Sequence, residues 1–247
     1  MCCFTRNVES VTDTRIFARD SRAMMQFLVY EMKFSANEDL AMILPLPVPK
    51  RTAEKAVRFI NLDKYPNFFS QMESGFAPDR GGAAGGFGGG AMGGSPLKVV
   101  DVGSFEASFV PAINDFSRLD ERFRLSPGAW EQLPQYKNFG FAVFKLKKGQ
   151  IKIHPMAFEF PRVDRTQLFF PTVHIHDGKV HSEAEFDHTL YAQFRIEHQI
   201  SMLDWTESRQ PAGMFMSIKM CEGLVSKLNH VYKHVIKGKH KNEDVVA

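Results

Sequence analysis

Gln26-Phe27-Leu28-Val29-Tyr30-Glu31-Met32-Lys33-Phe34 sets Phe27 and Val29 against Leu28, Tyr30, Met32 and Phe34. A period of two in residues this aromatic and β-branched marks a strand. A shorter strand at 14–18 precedes it, so the N-terminal third reads as antiparallel β. Leu40-Ala41-Met42-Ile43-Leu44 is a continuous apolar run, expected to stop at Pro45-Leu46-Pro47-Val48-Pro49 because prolines remove ladder donors. Thr52 is placed to cap a helix carrying Ala53, Ala56, Val57 and Ile60. Further on, 98–102 and 105–110 read as strands, and 114–119 and 129–133 as short helices. Residues 139–145 and 150–160 read as a hairpin across Lys148-Gly149. Near the C-terminus Ile218, Cys221, Leu224, Val225, Leu228, Val231, Tyr232 and Val235 recur at three- and four-residue steps, the stripe of an amphipathic helix. No strand–helix–strand alternation calls for a parallel doubly wound sheet. The expected class is α+β: a mainly antiparallel β-sheet system closed by a C-terminal amphipathic helix.

The 247 residues are 44% hydrophobic and 12% aromatic, enough for a folded core. A single domain, 1–247, is expected, with a flexible glycine-rich insert at 81–97. Nine glycines fall between 81 and 95, with neither the lysine nor the spacing of a phosphate-binding loop. The formal charge of +3 is small, and its lysines and arginines are scattered apart from a basic tail at 233–241. Neither nucleic acid nor membrane is an expected partner. The first residues lack the layout of a signal peptide and no apolar run reaches the roughly 18–20 residues of a span, so a cytoplasmic location is the expectation. Three cysteines cannot build a disulfide framework and are expected as thiols.

The chemistry concentrates in Thr172-Val173-His174-Ile175-His176-Asp177-Gly178-Lys179-Val180-His181-Ser182-Glu183. Asp-Gly between alternating segments is the strongest short-range hairpin signal. A two-residue turn there would set His174 opposite His181, and would put His174, His176 and His181 on one face with Val173, Ile175 and Val180 on the other. Cross-strand Cβ atoms about 5 Å apart let three imidazoles close on one transition-metal ion. His188 could add a fourth ligand. Lys179 on the same face favours the alternative, a half-exposed hairpin that happens to carry histidines.

Cys2 directly follows Met1, and removal of the methionine would leave a thiol beside a free α-amine. Cysteine so placed is the nucleophile of N-terminal nucleophile hydrolases, with its own amine as base. Arg15-Ile16-Phe17-Ala18-Arg19-Asp20 resembles the second strand of the bile-salt-hydrolase and penicillin-V-acylase branch of that superfamily. The resemblance implies Cys2 as nucleophile with Arg19 and Asp20 shaping the site. Cys2-Cys3-Phe4, Phe17-Ala18 and Glu38-Asp39-Leu40-Ala41-Met42-Ile43-Leu44-Pro45-Leu46-Pro47 also resemble an uncharacterised bacterial domain-of-unknown-function family, over about residues 2–49. Its members open with Cys-Gly-Gly-Phe and carry Asp-Phe-Ala-Trp-Val-Leu-Pro-Val-Pro at this point. That second resemblance implies a shared N-terminal β unit and no particular chemistry, and this chain has Cys3 where the family has glycine.

Three functions follow from the sequence, in this order. The first is a metal-binding protein or mononuclear metalloenzyme on His174, His176, His181 and His188, with Glu183 or a cysteine thiolate completing the site; zinc, iron and copper all suit such donors. The second is an N-terminal-cysteine amide hydrolase acting on a small-molecule or peptide substrate. The third is a non-catalytic binding module.

Overall fold

The computed structural model describes residues 3–22, 24–77, 100–103, 105–125, 127–152, 154–176, 179–194 and 204–247. The expected strand at 26–34 is the spine of the molecule. β2 (Ser10–Asp20) and β3 (Met25–Ala36) form an antiparallel hairpin, bulged between Thr12 and Arg15 where Asp13 adopts a φ of 55°. Leu28, Tyr30, Met32 and Phe34 point to one side, into the core shared with a second sheet. Phe27 and Val29 point to the other, under a separate apolar cluster. Both faces of β3 are therefore covered, which is why its sequence alternates without turning polar.

Around this spine the described strands make three sheets. The larger runs β13 (Thr206–Glu207), β14 (Tyr232–Lys241), β12 (Glu183–Gln193), β2, β3, β10 (Met156–Pro161) and β5 (Arg58–Ile60), with β9 (Gly149–Lys152) also on β3. The smaller runs β1 (Cys3–Phe4), β4 (Leu40–Leu46), β8 (Gly140–Leu146), β7 (Phe105–Val110) and β6 (Val100–Val102). β11 (Phe169–Phe170) pairs with β15 (Val245–Val246). The two main sheets stack over one core, with Phe144 of β8 against Phe158 of β10 at 5.9 Å between ring centroids. On the outer face of the larger sheet lie α1 (Phe68–Ser74), through Phe68, Phe69 and Met72, and residues from 212–231. No helix among the described residues is long and apolar enough to cross a membrane.

The structure overturns the α+β class and its closing helix. The chain is mostly β, and 218–235 folds as a 3-10 turn (Ile218–Met220), further turns, and the start of β14. Cys221, Leu224, Val225 and Val231 are buried as the stripe predicted, yet Leu228 is 76% and Val235 46% exposed. Glu222 and Gly223 take φ of 48° and 80°, which no α-helix accommodates. The buried residues reach the sheet from successive turns, and β14 then pairs along its whole length with β12. Lys237 faces Asp187 across that ladder, and Lys239 reaches Glu183.

Three local expectations are corrected as well. Thr52 caps no helix: its hydroxyl donates to the Pro49 carbonyl at 2.6 Å, and a 3-10 turn at Glu54–Ala56 gives way to β5. β4 does not stop before Pro45 but continues to Leu46 against β8. Ala41 turns its carbonyl to Thr5 on the β1 side, and Pro45 lies in the same alternate register, so its missing N–H takes nothing from the β8 ladder. The expected hairpin across Lys148-Gly149 is instead a crossing between sheets: β8 pairs with β4 and β7, and β9 pairs with β3. The Lys148 N–H donates to Asp39 at the crossing.

Candidate functional site: a buried histidine cluster

β12 alternates between the two cores. Leu190 and Ala192 face the inter-sheet core, and Tyr191 faces the outer cluster. Phe186 and His188 share the Leu190 side by the same period. His188 is 1% exposed, flanked in the sheet by Thr14 of β2 and Ile236 of β14. Onto it comes the segment 172–176, which touches the smaller sheet through one parallel bridge between Ile175 and Cys3. Val173 and Ile175 enter the core, and the intervening His174 packs on His188, Phe186 and His176 with ring centroids 4.9, 4.6 and 4.9 Å away. His176 also lies 5.6 Å from the ring of Phe4.

The structure thus gathers His174, His176 and His188 and leaves His181 out. Asp177 and Gly178, the expected turn, lie outside the described residues. Among those described, no ladder pairs 172–176 with 179–183, and His181 is exposed. Side-chain hydrogen bonds replace that ladder. Asn242 accepts from the His174 N–H at 2.6 Å and donates to the carbonyls of His174 and His181 at 3.0 and 2.9 Å. Asp244 accepts from Thr172 N and Val173 N, and takes the Tyr136 hydroxyl proton bond at 2.6 Å. Sequence reasoning missed both residues. The signal available was the polar step Asn242-Glu243-Asp244 ending a lysine-rich run, readable as a turn and not as a helix end. Removing Asn242 as Asn242→Ala strips three hydrogen bonds and is expected to cost about 1–3 kcal/mol, measured as a shift in urea midpoint with unchanged slope.

Burial holds the His174 imidazole far below its usual range, down to about 2, with repulsion from His176 acting in the same direction. His188 is pushed down too, chiefly by burial. The Nε2 atom of His174 is buried without a hydrogen-bond partner among the described residues. The three rings pack tilted against Phe186 and Phe4, at 50–56° between ring planes. Among the described residues no group of three or more His, Cys, Asp or Glu side chains is arranged to hold a metal ion.

The other expected site residues are dispersed. Cys2 lies outside the described residues. Cys3 is buried in the bridge to Ile175. Glu183, proposed to complete a metal site, is an exposed partner of Lys239 at 2.6 Å. Arg19 donates to the carbonyls of Gly223 and Leu224 at 2.6 and 2.7 Å, pinning the turns that the helix expectation misread. Asp20 is buried against Arg162.

No family model matches the sequence. Among solved structures, the crystal structure of baculovirus P35 superposes with a TM-score of 0.53 at 15% identity, covering 99% of this chain and 98% of that one. The fold is P35-like. A structure of a mutated baculovirus P35 after caspase cleavage matches at a TM-score of 0.50 and 15% identity, over 95% of this chain and 99% of that one. The stacked sheets, with this likeness, replace the helix-closed architecture expected from the sequence. At this identity the likeness is one of fold.

Proposed function

We propose that this chain is a non-catalytic protein-binding module whose partner is a caspase-type protease that cuts it. The observation that carries the reading is the end-to-end match to P35, 99% of one chain on 98% of the other, together with a related P35 structure described as following caspase cleavage. A match of that extent concerns the whole scaffold and not a shared hairpin or sheet. Two further features support it. Burial holds His174 and His188 in the neutral form, and their rings pack on one another and on Phe186. Residues 81–95 are small and glycine-rich, the composition that proteases enter most readily.

The test is complex formation with a caspase whose catalytic cysteine has been replaced, so that cutting cannot obscure binding. Size-exclusion chromatography with light scattering is expected to show one chain per protease catalytic unit. Separate elution of both proteins at tens of micromolar would overturn the reading.

A further inference from the structure

Between β7 and β8 the chain makes four short turns of helix, three of which line a pocket of about 550 Å³. Those three are Ile113–Arg118, α2 (Pro127–Glu131) and Pro134–Tyr136. The volume falls within the roughly 300–1,000 Å³ of small-ligand sites. Its walls are Ile113, Phe116, Leu125, Trp130, Leu133 and Pro134. Trp130 is braced from behind, its ring 4.7 Å from Phe141 and 5.0 Å from Phe116, so the apolar wall is fixed by the inter-sheet core. The rim is charged and unbalanced. Arg124, Lys137 and Glu131 line it, and none of the three forms an ion pair among the described residues. The Arg124 guanidinium is held by the carbonyls of Ser117 and Leu119, which orient it without neutralising it. Two cations against one carboxylate leave the mouth with a net positive charge.

We infer that this pocket binds a small amphipathic monoanion, an aliphatic or aromatic body with a carboxylate or sulfonate head. The body replaces water on the Phe116 and Trp130 walls, and the head lies toward Lys137 and Arg124. The site lies in the turns between β7 and β8, apart from the histidine cluster.

The test uses 1-anilinonaphthalene-8-sulfonate, whose fluorescence rises on entering apolar sites, on the intact protein. One probe molecule is expected per chain, displaced by decanoate and not by decyltrimethylammonium. Lys137→Glu is expected to weaken the probe about tenfold, and Glu131→Gln to tighten it, since each changes the charge that faces the head group. Both residues are exposed and unpaired, so an unchanged melting temperature confirms an intact fold in each variant. Binding without a defined stoichiometry, equal displacement by the cationic amphiphile, or indifference to Lys137→Glu in the folded protein would each overturn the inference.

Discussion

Phe144→Ala is expected to lower the free energy of unfolding by about 3–5 kcal/mol, the cost of emptying a phenylalanine-sized site in a core that cannot collapse. Phe144 is wholly buried and belongs to β8 of the smaller sheet. Two of its three ring neighbours among the described residues come from the larger sheet, Phe59 at 5.7 Å and Phe158 at 5.9 Å; Phe105, at 5.5 Å, is on its own sheet. The ring therefore joins the layers, and its loss leaves a cavity lined from both. Urea melts measure the effect, with Val163→Ala, at a position 60% exposed, as a control expected to stay within about 0.5 kcal/mol. A cost for Phe144→Ala below about 1 kcal/mol would mean the sheets do not meet there.

Acid is expected to destabilise the protein well before its carboxylates titrate. In the unfolded chain a histidine takes up its proton near pH 6.5. In the folded chain burial holds His174 and His188 neutral far below that. The native state thus binds fewer protons, so the stability contributed by these groups is complete above about pH 6.5. It is lost as pH falls, at up to about 1.4 kcal/mol per pH unit for each histidine. Between pH 6.5 and 5 each of the two accounts for up to about 2 kcal/mol, since both stay neutral in the folded chain throughout that window. His188→Leu should flatten the pH dependence by its share. An unchanged slope in that variant would show that the imidazole is not held neutral.

The parts of the fold legible in the sequence were those decided by neighbours in the chain. The two-residue period of 26–34 placed β3, and the apolar run from Leu40 placed β4. Pairings decided at a distance were not legible. β12 lies parallel to β2, joining His188 to Thr14 and Gln193 to Arg19, and no local pattern announces a partner so far along the chain. The same limit produced the false helix. Cys221, Leu224 and Val225 have helical spacing because successive turns present them to one sheet face, and the positive φ at Glu222 and Gly223 is carried by a Glu-Gly pair that a helix reading absorbs too easily. Part of the site was visible: His174 and His176 do share a face, and His188 does join them. His181 does not, because Asn242 and Asp244, arriving from the C-terminal end, hold 172–174 in place of a hairpin partner. The sequence offered histidines at metal-site spacing, and it did not show that Phe186 and Phe4 pack against them.

The most direct measurement of the proposed function is intact-mass spectrometry of the purified chain during incubation with an active caspase, with residual protease activity followed in parallel. A single cut is expected, with two fragments that remain associated because the stacked sheets share one core. A chain that stays whole through prolonged incubation at protease concentrations that cleave a control substrate would contradict it.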